Sequence, residues 1–487
     1  MKLSDLVEGF EILEKKGNCD IEISGICNDH RTISKGSLFV CIKGFKVNGH
    51  DFIEAAIRNG VAALIVEETG LVVPEEIPVL VTKNSREALA FVSSRFLGEP
   101  SKAFKLVGVT GTKGKTTTTY MVNRIAELAG YKTGLIGTIE NRIGYQRIKA
   151  KETTPESLAL QRLFRTMADE KVDFVTMEVS SQGLALGRTL CSDFDIGVFT
   201  NLYKDHIAPN EHADMNAYFA AKLKLFDTCK IGLVNKDCAA YEEIATYAKC
   251  KLFSFAIDKD ADIRAREIKN IRIGNVIAEQ FQVETPWFND KITVSMPGKY
   301  NIYNALAAIG ICGLCGIDPV YIKAGLESVK VRGRVEYVDA GQPFTVIVDY
   351  AHNAASLESL LQMLREYHFE NIITVFGCGG DRAKDRRFEM GEVSGRLSNL
   401  TIVTSDNPRS EEQEAIMKDI ETGLLPTNGN YIKIPDRKTA IETGIKMARE
   451  GDLVLIAGKG HETTQTFKDS VIHFDDVEIA FDFLKGC

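Results

Sequence analysis

The chain has 487 residues, more than a single hydrophobic core usually supports, so we expect two to four domains. Its formal net charge of −8 argues against the basic surface of a nucleic-acid-binding protein. No apolar run reaches the roughly 20 residues of a membrane-spanning helix, and the first residues lack the basic and apolar segments of a signal peptide. The sequence therefore predicts a cytoplasmic protein that binds neither nucleic acid nor membranes.

The first hundred residues alternate short apolar runs with helical patterns. Strands are predicted at 38–42, 63–66 and 79–82, and helices at 51–59 and 85–96. The segment Gly98-Glu-Pro-Ser-Lys102 has the composition of a linker. We therefore predict a small mixed α/β domain at residues 1–101.

A glycine-rich segment at residues 108–119, Gly-Val-Thr-Gly-Thr-Lys-Gly-Lys-Thr-Thr-Thr-Thr, lies between a strand pattern at 104–109 and a helix pattern at 120–128. Turn amides and the positive end of a helix bind phosphate oxygens, Lys115 can reach the β- and γ-phosphates, and the Thr116 hydroxyl can bind Mg²⁺. The spacing is unusual, because five residues rather than the usual four separate the first glycine, Gly108, from the Gly114-Lys115 pair. A turn that binds nothing is the alternative, but Lys followed by Thr at the helix start favours ATP binding.

Residues 102–330 continue as alternating strands and helices. Apolar, β-branched strands predicted at 174–177, 196–200 and 231–234 are typical of a parallel sheet covered on both faces. Residues 262–296 alternate apolar and polar side chains, which indicates an antiparallel insert before a closing helix at 301–315. The Cys-x-x-Cys pair at 312–315 lies in this apolar helix without a second pair nearby, so we interpret it as helix packing rather than a metal site.

Polar side chains in this central region are candidates for a metal site. Glu178 ends a predicted strand, where ligands bind in open α/β sheets, and its carboxylate can hold a Mg²⁺ already bound to Thr116. His206 follows the next strand and is a candidate metal ligand, although a single histidine is more often a surface or core residue. By pattern alone, Lys222 and Lys224 lie on an ordinary exposed helix face.

Residues 331–487 have a doubly wound α/β pattern. Strands are predicted at 345–349, 372–376, 400–404 and 453–457, alternating with helices at 355–366, 411–422 and 437–449. A polar loop follows each strand: Asp349-Tyr-Ala-His352-Asn353, Gly377-Cys-Gly-Gly-Asp381-Arg382, Asp406-Asn407-Pro408-Arg409 and Gly458-Lys459-Gly460-His461-Glu462. Each loop by itself could be a turn, but four at one sheet edge predict a binding site, in which arginine can grip carboxylate or phosphate.

In this order the motifs resemble the Mur ligase family over essentially the whole chain. The matching segments are the phosphate loop, Glu178-Val-Ser-Ser, Thr200-Asn-Leu with Asp205-His206, Ala221-Lys222, Gly298-Lys-Tyr-Asn301 with Asn304, Asp349-Tyr-Ala-His352 and Gly458-Lys-Gly-His461-Glu462. The resemblance implies three α/β domains: a smaller N-terminal domain for a UDP-sugar at 1–101, a central phosphate-loop ATPase domain with a parallel sheet at 102–330, and a Rossmann-like C-terminal domain for the incoming amino acid at 331–487.

The resemblance also implies a reaction, the addition of a third amino acid to UDP-MurNAc-L-Ala-D-Glu in peptidoglycan precursor synthesis. ATP would phosphorylate the γ-carboxylate of D-Glu, and the incoming amine would attack this acyl phosphate, with release of ADP and phosphate. The segment 406–409 matches the signature for meso-diaminopimelate, since lysine-adding members usually lack its Arg. L-lysine, another diamino acid or an altered acceptor stay open as alternatives.

Individual roles follow from the resemblance as well, and we expect a monomer. The implied catalytic residues are Lys115, Glu178, His206, Arg382 and Lys222, the last as N6-carboxylysine, a carbamate, in preference to Lys224. Two Mg²⁺ ions would be held by Thr116, Glu178, His206 and Lys222. The implied ATP contacts are Gly108, Thr110, Gly111, Thr112, Lys113, Gly114, Lys115, Thr116, Thr117, Asn301, Arg334, Asp349 and His352. The implied UDP-MurNAc-dipeptide contacts are His30, Phe45, Lys46, Val47, Thr153, Thr154, Ser180 and Arg188. The implied diaminopimelate contacts are Arg382, Asp406, Asn407, Pro408, Arg409, Gly458 and Glu462.

The sequence departs from the family pattern at a few positions. His30 stands where the family usually has Ser, and Lys113 where it usually has Asn. Two extra residues lie between Asp205 and Lys222. A folylpolyglutamate synthase and a non-enzymatic ATP switch are rival interpretations. The N-terminal hundred residues argue against the first, and the residues for two metal ions argue against the second.

Overall fold

The computed structural model of the protein describes residues 1–45, 47–205, 207–208 and 211–486. The chain forms two compact units. The first comprises Met1–Arg264, Glu284–Phe288 and Tyr303–Gly325, and the second comprises Ala265–Val283, Asn289–Ile302 and Leu326–Cys487. The domain boundaries expected near residues 101 and 330 stay predictions.

The first unit begins with a five-stranded sheet in the order β1-β5-β4-β3-β2. Strands β2 to β5 are parallel, and β1 is antiparallel to β5. The elements are α1 (Leu3–Leu6), β1 (Glu14–Lys16), β2 (Gly25–Cys27), β3 (Ser37–Val40), α2 (Ile53–Arg58), β4 (Ala63–Val66), β5 (Val79–Val81) and α3 (Ser85–Phe96). The three predicted strands and two predicted helices of this region are confirmed within a few residues.

The same unit continues with a second sheet in the order β13-β12-β11-β6-β10-β7-β8-β9. Strands from β13 to β7 are parallel, as predicted, and β8 and β9 form an antiparallel edge. The elements are β6 (Lys105–Thr110), α4 (Lys115–Leu128), β7 (Thr133–Ile136), β8 (Glu140–Ile143), β9 (Gln146–Lys149), α5 (Ser157–Asp169), β10 (Phe174–Glu178), α6 (Ser181–Ala185), β11 (Phe194–Phe199), α7 (Met215–Leu223), β12 (Cys229–Asn235), α8 (Tyr241–Tyr247) and β13 (Lys251–Ala256).

Helix α4 begins at Lys115, so the Lys-Thr pair lies at the helix start as predicted, although the apolar helix pattern begins only at 120. Its first turns are a run of threonines, which are polar and yet buried against the protein. An apolar periodicity cannot reveal such a helix start, because the residues that pack inward are not hydrophobic.

Three strands and two helices follow before the last sheet. The strands β14 (Ile263–Ile273), β15 (Val276–Glu284) and β16 (Asn289–Val294) are successive neighbours in one sheet, where the insert was predicted. Helices α9 (Lys299–Leu314) and α10 (Pro319–Ser328) come next. Cys312 is buried in α9, in agreement with a packing role. No helix of the described ranges is both long enough and apolar enough to cross a membrane.

The second unit contains a six-stranded sheet in the order β17-β18-β22-β19-β20-β21, parallel except for β17. Apolar clusters cover both faces, one with α11 to α13 and the other with α14 and α15, which confirms the doubly wound pattern. The elements are β17 (Glu336–Tyr337), β18 (Thr345–Asp349), α11 (Ala354–Arg365), β19 (Ile372–Phe376), α12 (Asp385–Leu397), β20 (Leu400–Val403), α13 (Gln413–Leu424), β21 (Tyr431–Lys433), α14 (Arg437–Met447), β22 (Leu453–Ala457), β23 (Thr464–Thr466), β24 (Val471–His473) and α15 (Asp476–Gly486).

Candidate active site

The glycine-rich segment forms a tight turn between β6 and α4. Gly114 has a φ of +87°, and a Cβ there would lie 2.3 Å from Asn304 Oδ1, so a side chain does not fit. The Thr200 hydroxyl donates to the Lys113 carbonyl at 2.7 Å, and Asn201 Oδ1 accepts from the Lys113 amide at 2.8 Å. Residues at the end of β11 therefore fix the conformation of the turn. The turn leads directly into helix α4, and backbone amides at the start of a helix are groups that bind phosphate.

Two lysines converge on this turn. Lys115 Nζ and Lys222 Nζ each donate to the Gly111 carbonyl at 2.9 Å, and Lys115 also donates to the Thr112 carbonyl at 3.1 Å. The Lys222 side chain is 1% exposed, with Nζ 4.5 Å from the centre of the Tyr218 ring. Burial, together with the nearby charge of Lys115, lowers the pKa of Lys222 well below its usual value. The expectation that Lys222 lies on an exposed helix face is therefore wrong, because its position on α7 places the side chain in the interior.

Glu178 is buried at the end of β10. Its Oε2 accepts hydrogen bonds from the Thr116 hydroxyl at 2.9 Å and the Thr138 hydroxyl at 3.0 Å, and its Oε1 accepts from the Thr138 amide at 2.9 Å. A carboxylate beside a hydroxyl supplies the hard oxygen ligands that Mg²⁺ prefers, so this pair fits one metal ion. His206 lies outside the described residues, and within those residues no three His, Cys, Asp or Glu side chains group into a metal site.

A cavity of about 260 Å³ opens beside the two lysines. It brings together six of the predicted residues, Lys115, Lys222, Thr153, Thr154, Ser180 and Arg188. Glu152, Ser181, Gln182, Glu211 and His212 complete its lining. The predicted peptide contacts and the predicted catalytic lysines therefore share one space.

The wall of this cavity is rigidly hydrogen-bonded. Thr154 Oγ1 donates to the Glu178 carbonyl and accepts from the Ser180 amide, both at 2.9 Å. Ser180 Oγ caps α6 by accepting from the Gly183 amide at 3.0 Å. Arg188 Nη1 donates to the Thr154 carbonyl at 2.9 Å. These bonds fix the predicted peptide contacts to the strand that carries the candidate metal ligand.

His212 is a cavity residue to which the motif analysis gave no role. It is buried, its Nε2 lies 2.9 Å from Ser181 Oγ, and its ring centre is 5.2 Å from that of Tyr218. Tyr218 in turn donates to Thr112 Oγ1 at 3.1 Å. His212 ends the segment in which the sequence departs from the family pattern, and the sequence alone assigned it no function.

The predicted uridine contacts lie near the N-terminal sheet. The His30 ring stacks on Phe52 with centroids 4.0 Å apart, and Phe45 and Val47 are exposed. Lys46 lies outside the described residues. Flat rings and exposed apolar side chains are groups that can pack against a nucleobase.

In the second unit, the loops after β20 and β22 are joined by side chains. Asn407 Nδ2 donates to Glu462 Oε2 at 2.8 Å. Lys459 is fully buried, and its Nζ donates to Asn407 Oδ1 at 3.3 Å, Glu462 Oε2 at 3.2 Å and the Thr464 carbonyl at 2.7 Å. A lysine between two glycines gives no sign of burial in the sequence, so only the structure shows this position of Lys459.

The loop after β19 joins the same group. The Gly380 amide donates to the Asn407 carbonyl at 2.9 Å, and Arg409 Nη1 donates to the Gly380 carbonyl at 2.5 Å. Asp406 is buried beside Gly458. Burial raises the pKa of its carboxyl, and the positive charges of Arg437 and Lys459, which lower it, offset only part of this effect. The predicted amino-acid loops, including the one that carries Arg382, therefore lie together at the carboxyl ends of three strands.

The predicted ATP contacts beyond the phosphate loop belong to the second unit. The Asp349 carboxylate accepts from the amides of Val335 and Ala351, each at 2.8 Å, and burial raises its pKa. Arg334 lies 5.0 Å from the ring centre of Tyr350, and the exposed His352 ring lies 4.5 Å from that of Tyr350. Asn301, also of this unit, is buried and donates from Nδ2 to the Pro297 carbonyl at 2.7 Å.

Three family models match consecutive parts of the chain. The Mur ligase family catalytic domain matches residues 22–99, the Mur ligase middle domain matches 109–312, and the Mur ligase glutamate ligase domain matches 333–460. The chain belongs to the Mur ligase family. The predicted three-domain α/β fold is thereby confirmed.

Relatives match the chain over its whole length. A protein of Clostridium perfringens (strain 13 / Type A), named UDP-N-acetylmuramoyl-L-alanyl-D-glutamate–2,6-diaminopimelate ligase, is 41% identical, with 100% of both chains covered. A protein of the same name from Alkaliphilus metalliredigens (strain QYMF) is 43% identical, covering 100% of this chain and 98% of its own. A solved structure with that name in its title has 27% identity and a TM-score of 0.75, covering 100% of this chain and 99% of its own.

Proposed function

We propose that this chain is an ATP-dependent ligase that joins meso-diaminopimelate to the D-Glu γ-carboxylate of UDP-MurNAc-L-Ala-D-Glu in peptidoglycan precursor synthesis. The observation that carries this proposal is the similarity of 41% and 43% over the full length to two proteins named for these substrates. The buried lysine pair beside a cavity, and the joined loops after β19, β20 and β22, support the same chemistry.

ATP would bind at the turn before α4, as the phosphate-loop sequence indicates. Lys115, now bonded to two carbonyls of its own turn, would exchange them for phosphate oxygens. Thr116 and Glu178 would hold one Mg²⁺. When bound, Mg²⁺ neutralises negative charge on the triphosphate and on the attacking carboxylate, which would otherwise repel each other.

Lys222 would serve as a carbamate. Its lowered pKa favours the neutral amine, and a neutral amine adds to CO₂ to form a C–N bond while releasing one proton. The product is an anion whose two oxygens share one negative charge, and it would hold the second Mg²⁺ together with His206. The side chain is buried at the cavity wall, so the carbamate would form where the acceptor carboxylate arrives.

The acceptor peptide would lie in the cavity. Thr153, Thr154, Ser180 and Arg188 would hold it, so that the γ-carboxylate of D-Glu faces Lys115 and Lys222. Phosphorylation converts a carboxylate oxygen into a good leaving group, and the incoming amine then displaces phosphate from the acyl carbon. His30, Phe45, Lys46 and Val47 would contact the uridine end.

The loops of the second unit would bind the amino acid. Arg409 and Arg382 would pair with the distal carboxylate of meso-diaminopimelate, which lysine lacks, and Glu462 with an ammonium group. Asn407 donates a hydrogen bond to Glu462 and so orients its carboxylate. Arg334, Asp349, His352 and Asn301 would contact ATP from this unit.

A panel of amino acids tests the proposal directly. Purified protein with Mg²⁺, ATP and UDP-MurNAc-L-Ala-D-Glu is supplied in turn with meso-diaminopimelate, L-lysine or L-ornithine, and phosphate release is measured. Rapid release with meso-diaminopimelate alone is expected, and the product is identified by mass spectrometry. Preference for L-lysine would contradict the choice of amino acid, and no release with any member would contradict the ligase.

A further inference from the structure

Arg437, the first residue of α14, is completely buried. Its Nε donates to Asp476 Oδ1 at 2.8 Å, and its Nη2 donates to Asp476 Oδ2 at 2.7 Å. Asp476, the first residue of the C-terminal helix α15, is buried as completely. A buried ion pair repays its desolvation only when its other donors are also satisfied, so the remaining contacts of this guanidinium are informative.

Those contacts are two backbone carbonyls. Nη1 donates to the Ser405 carbonyl at 3.3 Å, and Nη2 donates to the Ala457 carbonyl at 3.1 Å. Ser405 immediately precedes the loop 406–409, and Ala457 immediately precedes the loop 458–462. One side chain therefore binds the base of both proposed amino-acid loops.

Strand pairing does not join the bases of these two loops. Beyond the bases, Gln465 donates to the Asp406 carbonyl at 2.7 Å and the Arg409 amide to the Thr466 carbonyl at 3.1 Å. Strand β19 lies between β20 and β22 in the strand order, so about 10 Å separates the two strands, or two interstrand spacings. Ladder hydrogen bonds run only between neighbours, and they end where the loops begin. The planar fork of Arg437 spans this gap from below, which a single ammonium group cannot do.

We propose that Arg437 is a positioning residue for the incoming amino acid, because it sets the separation of the loops 406–409 and 458–462. This inference rests on the proposed function of these loops. The loops touch closely: a Cβ on Gly458 would lie only 2.9 Å from Asp406 Oδ2, and Asn407 is bonded to Glu462. A change in their separation would therefore displace both sets of binding side chains at once.

The test compares Arg437→Lys and Asp476→Asn with the wild-type protein. Arg437→Lys keeps the charge and loses the fork, while Asp476→Asn keeps the shape and weakens the anchor. The matched control is Arg396→Lys, which alters the exposed pair of Arg396 with Glu358 on the outer helices of the same sheet. For each protein, kcat, the KM for the amino acid that the wild type uses, the KM for ATP and the melting temperature are measured.

Both variants are expected to raise the KM for the amino acid at least tenfold, with the KM for ATP within twofold of the wild type and the control unchanged. Variants that melt at lower temperature with an unchanged KM for the amino acid would overturn the inference, as would an equal rise in both KM values. Loss of a cooperative melting transition in both variants would also overturn it, since Arg437 would then serve stability alone. The wild-type amino-acid profile reports separately on the proposed function.

Discussion

The side-chain amine of Lys222 shows how burial changes the chemistry of a single residue. It is held against the Gly111 carbonyl and the Tyr218 ring, next to a second lysine, in a place where a cation is costly. This unfavourable position is at the wall of a cavity that the predicted peptide contacts also line. Modification to an anion would remove the repulsion between the two lysines and supply metal ligands.

Replacement of Lys222 by Ala should lower the rate of phosphate release about a hundred- to a thousandfold, a loss typical of removing one electrostatic contact to a transition state. Formate or acetate should restore part of the rate, since a short carboxylate can occupy the space of the carbamate. Lys222→Arg is the control, because a permanent cation cannot take up CO₂ and should not respond to these anions. Full activity of Lys222→Ala would contradict the role.

Arg409 should decide between meso-diaminopimelate and lysine. A charged hydrogen bond contributes about 1.5–3 kcal/mol, so Arg409→Ala should raise the KM for meso-diaminopimelate roughly 10- to 100-fold. The KM for ATP should change little. Steady-state kinetics with each substrate varied in turn measures the two effects. An equal loss for both substrates would indicate a general disturbance of the loop instead.

At the scale of elements, the helices α12 and α13 are linked by a buried arginine. Arg387 on α12 donates to Glu411 Oε1 at 2.7 Å and to Asp419 Oδ2 at 2.8 Å. Glu411, two residues before α13, also accepts from the Asp381 amide at 2.6 Å. The helix pair therefore reaches the loop that carries Arg382, so helix packing and loop position are coupled.

This link predicts a pH-dependent stability. The hydrogen bond from Arg387, with that of the Asp381 amide, lowers the pKa of the Glu411 carboxyl from 4.5 to about 2. The native state then binds fewer protons than the unfolded state, so the stabilisation is complete above pH 4.5 and is lost as the pH falls toward 2. Glu411→Gln should lower the melting temperature at pH 7, by an amount that shrinks over this range.

The matched control for this measurement is Glu412→Gln. Its side chain is exposed and makes no capping hydrogen bond to α13. Its melting temperature should follow that of the wild type at every pH. A difference between Glu411→Gln and wild type that stays constant from pH 7 to pH 3 would contradict the linkage.

At the scale of the whole molecule, the predicted contacts for one reaction are distributed along the entire chain. The phosphate loop and the cavity belong to the first unit, while the amino-acid loops and four predicted ATP contacts belong to the second. Under the proposed function, the residues predicted to bind the three substrates are therefore divided between the two units.

An isotope experiment tests this combined chemistry. With ¹⁸O in the γ-carboxylate of D-Glu, one carboxylate oxygen would attack the γ-phosphorus of ATP. A new O–P bond forms, the bond from the γ-phosphorus to the bridging oxygen breaks, and ADP leaves. The amine later breaks the bond between that oxygen and the acyl carbon, so each released phosphate should carry one ¹⁸O. Mass spectrometry of the phosphate detects it. Unlabelled phosphate alongside normal peptide formation would contradict the acyl-phosphate route.

Motifs formed by residues that are close together in the sequence could be predicted from the sequence alone. A strand, a glycine turn and a Lys-Thr pair specify a phosphate loop because the turn and the helix end supply its amides, and apolar β-branched strands specify a buried parallel sheet. The order of these motifs along the chain also sufficed to indicate the family. These features depend on neighbours in sequence, which the sequence displays.

The tertiary structure alone showed which polar residues are buried together. The inward turn of Lys222, the place of His212 in the cavity, and Lys459 and Arg437 beneath the amino-acid loops all depend on residues distant in sequence. The sequence gives the type of a residue and not its exposure, so a buried lysine or arginine cannot be told from an exposed one. Only packing decides its solvation and its partners. The free energy of such groups is therefore set by the fold, because it arises from desolvation and from hydrogen bonds that span the whole domain.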